Sequence, residues 1–415
     1  MNSGLLMTPH SPIPSAESSR KAKTATVPWS PVMRHTSETA VVPIREYVVK
    51  VASRCNLACD YCYVYTMADQ SWRTRPRFPS TETIDMTARR IGEHARKHEL
   101  AEVTVVLHGG EPLLAGASLL NHVATTIRRA CPADTEVDLR VQTNGVLLDE
   151  SWLPFLRTHR VRVGVSLDGG PAQHDRHRRG PDGEGSYETT ARGLRFLRDH
   201  PEHYAGLLCV VDLGNDPVEV YESLLEFAPP VVDFMLPLGN WTIPPPRRDK
   251  DDTPYADWLV RVFDRWFETK HQETAVRLFR EIIHLLLGGQ SSSDQIGLSP
   301  VAYLVVDTDG TFQQADMLKS AAPGQPETGL NVFDHPVDAV LTHPEVRARQ
   351  SGLASLADAC QLCELVRVCG GGNYVHRFRE GHGFRQPSVY CHDLQRLIRH
   401  IDDRVRSGLT LLGAR

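Results

Sequence analysis

The chain has 415 residues, nine of them cysteine, and sets 46 Lys and Arg against 51 Asp and Glu for a formal net charge of −5. A pI near 6.4 gives no global bias toward nucleic acid, and no stretch approaches the roughly 20 uninterrupted apolar residues of a membrane helix. Nine cysteines suit a disulfide scaffold only in a short secreted chain. This one is long and opens on polar residues, so reduced thiols, two or three domains and a cytoplasmic location are expected.

Residues 1 to about 43 are rich in Ser, Thr, Pro and Ala without sustained periodicity and read as a largely disordered segment. Six apolar runs then recur as strand candidates: Tyr47–Ala52, Val103–Leu107, Val137–Val141, Val161–Leu167, Ala205–Val211 and Val231–Leu236. Amphipathic segments lie between them, at Thr81–Glu99, Gly116–Ala130, Glu150–Thr158, Tyr187–Asp199 and Pro217–Phe227, with Ser80 and Ser186 as N-cap candidates. Strand and helix alternate, so the fold expected over 44–240 is α/β, an open partial (β/α)6 TIM-like barrel of parallel strands.

Ile243-Pro244-Pro245-Pro246 punctuates the end of the sixth unit. A helical stretch, Tyr255–Leu287, is expected in a bridging region over 241–299. Ala302–Asp307 and Thr311–Gln314 flank Asp309-Gly310, a hairpin signal. Residues 300–415 read as a small cysteine-bearing module ending in a helix.

The chemistry starts at Cys55, Cys59 and Cys62, spaced C-x3-C-x2-C directly after the first strand candidate. Three thiols leave a metal centre one open position. Zinc prefers a closed set of four and usually pairs two C-x-x-C knuckles, and no histidine or fourth thiol lies near this run. An iron–sulfur cubane with one free iron fits three thiolates. The spacing, with Tyr61 just before the third cysteine, resembles the cluster motif of the radical S-adenosylmethionine (radical SAM) enzymes. That resemblance implies a [4Fe-4S] cluster whose open iron chelates S-adenosylmethionine and whose electron releases a 5′-deoxyadenosyl radical.

Further motifs follow successive strands, where parallel α/β architectures gather their ligands. Gly109-Gly110-Glu111-Pro112 resembles the family's GGEP motif, which implies that its backbone and Glu111 engage the cofactor's amino group. Gln142-Thr143-Asn144-Gly145 and Ser166-Leu167-Asp168-Gly169 match positions that the family uses for ribose or carboxylate contacts, placing Gln142, Asn144, Ser166 and Asp168 in the cofactor site. His174-Asp175-x-x-Arg178 resembles a segment of peptide-modifying members that brings Arg178 to the cofactor carboxylate. A solvated basic loop is the plain reading of that run. Tyr61 is placed beside the adenine by the resemblance, and a core aromatic also fits its position.

Cys360, Cys363, Cys369 and Cys391 form a second set, C-x2-C-x5-C with a distant fourth thiol. Zinc and [4Fe-4S] both accept four thiolates. The pattern resembles the second auxiliary-cluster half of the SPASM domain, which implies one auxiliary [4Fe-4S] cluster. Asn373 and Ala315 stand where that family carries cysteines of a first auxiliary cluster, so that cluster is expected to be absent. Asp316 corresponds to a carboxylate positioned as a proton acceptor in sulfatase-maturing relatives, which makes it the candidate catalytic base. Cys131 and Cys209 have no partners at ligand spacing and read as structural.

From about residue 45 onward the chain resembles the FxsB-type peptide maturases. The resemblance implies a short precursor peptide as substrate, an aromatic-carbon to Cβ crosslink (a cyclophane) as product, an electron donor such as flavodoxin or ferredoxin, and possible dependence on a separate leader-binding protein. No nucleic-acid or membrane partner is expected. Thioether bridging and oxidation of Ser or Cys to formylglycine use the same parts and stay open, as does a non-catalytic iron–sulfur module.

Overall fold

The computed structural model describes residues 41–247, 249 and 252–413, so the segment expected to be disordered lies, up to residue 40, outside the described residues. Each of the six apolar runs forms a strand: β1 (Glu46–Ala52), β2 (Glu102–Gly109), β3 (Glu136–Thr143), β4 (Arg162–Ser166), β5 (Tyr204–Val210) and β6 (Val231–Met235). Successive strands pair in parallel, which requires a crossover at every step. The crossovers carry α1 (Thr81–Lys97), α2 (Gly116–Ala130), α3 (Leu153–His159), the pair α4 (Pro171–His177) and α5 (Tyr187–Asp199), and α6 (Pro217–Leu225).

Side-chain periodicity decides which faces meet. On α1, Ile84, Ala88, Ile91 and Ala95 recur at helical spacing and are buried. On β1, Tyr47, Val49 and Val51 pack into the core shared with the helices, while Val48 joins Val106, Ala205 and Val305 in a small cluster, as a period of two dictates. Ser80 caps α1 as expected, its hydroxyl accepting from the Thr83 amide at 3.0 Å. Ser186 does not cap α5. Its hydroxyl donates to the Arg178 carbonyl at 2.6 Å and meets His174 Nε2 at 3.0 Å, binding the α4 turn to the start of α5 instead.

The single helical stretch expected over Tyr255–Leu287 is two helices, α7 (Pro254–Phe267) and α8 (Arg277–Leu286). The two-residue strand β7 (Ala275–Val276) separates them and pairs parallel with β6. The break falls in the polar run Glu268–Thr274, where the Thr274 hydroxyl donates to the Pro229 carbonyl at 2.7 Å.

β8 (Tyr303–Val306) and β9 (Thr311–Gln313) form the expected antiparallel hairpin, with Gly310 at φ 84° in its turn. β8 also pairs in parallel with β1, and β10 (Glu327–Asn331) pairs with β9, so all ten strands share one sheet in the order β10-β9-β8-β1-β2-β3-β4-β5-β6-β7. The stretch from residue 300 onward therefore begins as the edge of the barrel sheet.

Short helices α9 (Val337–Val340), α10 (Pro344–Gln350), α11 (Asp358–Gln361) and α12 (Val366–Cys369) follow, then the long α13 (Cys391–Gly413). Asp393 of α13 accepts from the amides of Tyr255 and Ala256 at 3.0 Å each. It satisfies donors at the start of α7 that Thr253 leaves open. Among the described residues no helix is long and apolar enough to cross a membrane.

Candidate functional site

The carboxyl ends of the parallel strands and the loop after β1 frame a cleft, the end of such a sheet where ligands bind. His108, Gln142, Ser166, Val210 and Met235 line it from β2 through β6, and Cys55, Cys59 and Cys62 line it from the loop. Hydrogen bonds fix that loop. The Cys62 amide donates to Cys59 O at 3.2 Å, the Thr66 amide to Cys62 O at 2.8 Å, and the Ala58 amide to Arg179 O at 2.7 Å.

The three thiols interact electrostatically with one another. Burial, with the Glu111 carboxylate nearby, pushes the Cys55 thiol up to about 12, and burial raises Cys59 as well. A bound cation is what draws such protons off. A tetrahedral zinc at about 2.3 Å from each sulfur would hold its thiolates about 3.8 Å apart. Among the described residues, however, His94, His98 and Asp338 are the trio of potential ligands whose donor atoms lie within 4.8 Å of one another. The Cys55, Cys59 and Cys62 sulfurs do not all lie within that distance of one another, a wider set than a single zinc holds. The His94 trio is itself a hydrogen-bonded anchor between α1 and α9. The Ile44 amide donates to His94 Nε2 at 3.0 Å, leaving Nδ1 to donate to Asp338, which also binds Lys97 at 2.8 Å.

Gly109 and Gly110 line the cleft where β2 ends. A β-carbon on Gly110 would fall on the Tyr65 hydroxyl and the Arg54 carbonyl, and one on Gly109 on the Ala52 carbonyl, so these glycines let the cysteine loop close onto β2. Glu111 does not reach the cleft. Its buried carboxylate accepts from the Leu113 amide at 3.0 Å, the Thr143 hydroxyl at 2.7 Å and the Asn144 amide at 2.9 Å. Asn144 passes the constraint on, its side-chain amide donating to Asn56 Oδ1 at 2.8 Å and to Cys55 Sγ at 3.7 Å.

The basic run after β4 is only partly solvated, with Arg176 and Arg179 exposed. His174 is fully buried and Arg178 is 3% exposed. Arg178 Nη1 donates to the Tyr61 hydroxyl at 2.9 Å, and that hydroxyl donates in turn to Asp168. Asp168 also accepts from the Val210 amide at 3.0 Å, which places it behind Tyr61 and Arg178, outside the cleft lining. Arg178 Nε and Gln142 Oε1 belong to cleft-lining residues and are buried without a hydrogen-bond partner. Such polar groups are costly unless a ligand satisfies them.

Of the residues predicted for the cofactor, Tyr61, Gly109, Gly110, Gln142, Asn144, Ser166 and Arg178 line the cleft, and Glu111 and Asp168 brace those that do. Sequence reasoning missed His108, which sits one place before the glycine pair. It also missed the apolar wall of Leu57, Tyr63, Val64, Met235, Leu236 and Leu238, which carries no polar signature and reads as core.

Asp316 is 2% exposed and does not line the cleft. Lys50 Nζ lies 2.6 Å from its Oδ1, and His108 Nδ1 lies 3.7 Å from its Oδ2. Although burial works against the charge, Lys50 and Lys319 hold the carboxyl down at about 2.

The second cysteine set converges between α11 and α13. Cys360 interacts electrostatically with Cys363, Cys369 and Cys391, and burial pushes Cys369 up to about 12. Gly370, Gly371 and Gly372 hold φ of 59°, 78° and 66°, a turn that side chains with a β-carbon resist. Arg377 clamps it, donating to the carbonyls of Gly370 and Gly372 at 2.7 Å and of Gly371 at 3.0 Å. Asn373 caps the next turn, accepting from the Val375 amide at 3.2 Å. Ala315 packs in an apolar cluster with Tyr303, Met317, Leu318 and Tyr374. Cys131 and Cys209 are buried in the main core.

A three-thiol loop after the first strand of a parallel sheet, facing a cleft across the strand ends, defines a class. Residues 49–224 match the family model of the radical SAM superfamily. The chain is similar to a cysteine-type anaerobic sulfatase-maturating enzyme of Clostridium perfringens, 23% identical over 84% of this chain and 94% of the relative. It is also similar to a serine-type enzyme of Klebsiella aerogenes, 25% identical over 81% and 80%. Its fold is shared with native anSMEcpe with bound AdoMet (TM-score 0.76, 22% identity, 87% and 98% coverage). The fold of Streptococcus suis SuiB bound to precursor peptide SuiA is more distant (TM-score 0.58, 15% identity, 84% and 76%).

Proposed function

We propose that this chain is a radical SAM enzyme that oxidises one side chain of a peptide or protein segment, beginning at a Cβ hydrogen, with Ser or Cys converted to formylglycine as the first reading. The observation that carries it is the joint presence, in one cleft with an apolar wall, of Cys55, Cys59 and Cys62, the Gly109-Gly110 backbone and the unpaired Nε of Arg178. The similarity to both cysteine-type and serine-type sulfatase-maturating enzymes along four-fifths of the chain supports this oxidation over other radical outcomes.

In this reading Cys55, Cys59 and Cys62 hold a [4Fe-4S] cluster with one iron left for S-adenosylmethionine. When bound and reduced, that pair supplies a 5′-deoxyadenosyl radical. The backbone of Gly109 and Gly110 faces the cofactor's amino group, Arg178 Nε its carboxylate, and Gln142 and Ser166 its ribose. Tyr61 keeps Arg178 aimed, while Glu111 and Asn144 hold the cysteine loop against β3. Leu57, Val64, Met235 and Leu236 exclude water, which protects a reactive carbon centre from side reactions. Cys360, Cys363, Cys369 and Cys391 hold one auxiliary [4Fe-4S] cluster. A flavodoxin- or ferredoxin-type protein is the proposed reductant.

The cyclophane is the second reading. It is favoured by Ala315 and Asn373, which stand in packed or capping roles where the SPASM pattern has cysteines. Both products lack two hydrogens when formed from Ser and from an aromatic pair, so mass alone does not separate them. Formylglycine reacts with an aminooxy reagent and a cyclophane does not. Anaerobic co-expression with peptides encoded nearby and with a Ser or Cys sulfatase segment, followed by aminooxy labelling and tandem mass spectrometry, tests the choice. Labelled product supports the first reading, and an unlabelled crosslink between an aromatic ring and a residue two places on replaces it with the second.

A further inference from the structure

We propose that His108 takes the substrate proton in this cleft, and that Asp316 is the carboxylate that positions it from behind. This rests on the radical oxidation proposed above and names the group on which that oxidation's proton lands.

Register places the imidazole. Lys50 of β1 and His108 of β2 are paired across the parallel ladder. His108 lines the cleft, whereas Asp316 does not. The two ring nitrogens differ: Nδ1 is buried without a hydrogen-bond partner and points toward Asp316 Oδ2 at 3.7 Å, while Nε2 is not among the buried unpartnered atoms. At 3.7 Å the Asp316 contact is too long for a hydrogen bond, and catalytic contacts of this kind tighten when substrate fills the site. A proton on Nδ1 facing the carboxylate leaves the Nε2 lone pair for the cleft.

The charged and titratable groups around this pair are few. Asp316 faces Lys50 on β1, His108 on β2, Lys319 in the turn after β9, and the Tyr63 and Tyr65 phenols on the cysteine loop. Asp307 lies behind Lys319 at 3.8 Å. Lys50 engages Asp316 directly, which turns the carboxylate away from substrate and keeps it charged beneath the imidazole. Burial lowers His108 to about 3, so it rests neutral and able to accept.

A hydrogen atom leaves the substrate Cβ for the 5′-deoxyadenosyl radical. In the first reading the resulting carbon radical, and in the second the ring radical formed when it bonds to the aromatic carbon, gives one electron to an iron–sulfur oxidant, the class of group proposed for the second cysteine set, and one proton to His108 Nε2. That proton comes from the hydroxyl or thiol in the first reading, where Cys gives a thioaldehyde that water hydrolyses to the aldehyde with loss of hydrogen sulfide, and from the aromatic ring carbon in the second. Loss of the electron makes it strongly acidic, so even a weakly basic imidazole is sufficient.

The test uses the full chain, reconstituted with iron and sulfide. Selective ¹⁵N-histidine labelling should show His108, assigned with His108→Gln, as a neutral Nδ1–H tautomer through the neutral pH range, shifting toward Nε2–H in Asp316→Asn. An Nε2–H tautomer in the unsubstituted chain overturns the proposal. In turnover, synthetic peptides carrying Cβ-deuterated Ser or Cys report hydrogen abstraction as deuterium in 5′-deoxyadenosine. His108→Gln should lower modified peptide at least about 100-fold, the usual scale of a proton-transfer group, with a much smaller fall in deuterium transfer. Equal falls in both also overturn it. No deuterium transfer by the unsubstituted chain counts against the oxidation itself, and the tautomer then decides on the His108–Asp316 pair alone.

Discussion

Lys50 Nζ lies 2.6 Å from Asp316 Oδ1, and neither side chain is more than 3% exposed. A buried ion pair gains little over a well-packed apolar pair, but breaking it strands one charge in a medium that solvates it poorly. Lys50→Met is therefore expected to destabilise the chain by about 3–5 kcal/mol, and Lys50→Met with Asp316→Leu to recover most of that. Urea unfolding of the single and double variants measures the difference. Equal losses in both would show that Lys319 and His108 already compensate Asp316.

The same pair sets an acid limit. The Asp316 carboxyl falls from an ordinary value of 3.8 to about 2 in the folded chain. A group depressed by folding contributes stability above its unfolded value and loses it as pH falls toward the folded one. Unfolding free energy should thus drop between about pH 4 and pH 2 more steeply in the unsubstituted chain than in Asp316→Asn. Parallel profiles would reject this coupling.

The strands were legible because each is a dense run of β-branched and aliphatic residues bounded by turn residues, and the cysteine runs because thiols at ligand spacing rarely serve packing. Other features were hidden for physical reasons. The break between α7 and α8 lies in a polar stretch that also fits an exposed helix face, and a two-residue strand shows no periodicity. Ser186 looks like a cap, but its hydroxyl is used by Arg178 O and His174. His108 and the apolar wall have no motif of their own, because what marks them is convergence of β2, the cysteine loop and the end of β6. Asp316 was visible as a residue, but its ion pair with a lysine more than 260 positions earlier was not.

Metal content separates the two cysteine sets. The unsubstituted, reconstituted chain is expected to bind about eight irons, two cubanes of four. Replacing Cys55, Cys59 and Cys62 by Ala, or Cys360, Cys363, Cys369 and Cys391 by Ala, should leave about four in each case. Reductive cleavage of S-adenosylmethionine should vanish only in the first variant. A content near twelve in the unsubstituted chain would contradict the loss of a third site at Ala315 and Asn373.

Arg377 holds three successive glycine carbonyls beside Cys369. Its planar fork suits that arrangement, and a lysine ammonium does not reproduce it. Arg377→Lys is expected to destabilise the turn by about 1–3 kcal/mol and to speed chelator extraction of iron from the second set while leaving the first unchanged. Iron-release kinetics, with each set examined in the background lacking the other, provide the measurement. Equal release from both sets would make Arg377 a general packing residue.

Arg178 carries the cofactor assignment most directly. One nitrogen is engaged by the Tyr61 hydroxyl, while Nε is buried in the cleft wall with no hydrogen-bond partner. A hydrogen bond from a charged donor to a carboxylate contributes about 1.5–3 kcal/mol, equivalent to roughly ten- to a hundredfold in affinity. Arg178→Lys leaves a single ammonium that cannot serve both Tyr61 and a ligand, so S-adenosylmethionine should bind about ten- to a hundredfold more weakly at unchanged iron content. Tyr61→Phe removes only the aiming contact and should cost less. Equilibrium dialysis with the reconstituted chain reads both. An Arg178→Lys chain that binds the cofactor as tightly as the unsubstituted one would move the carboxylate away from Arg178 and leave the buried Nε without a ligand.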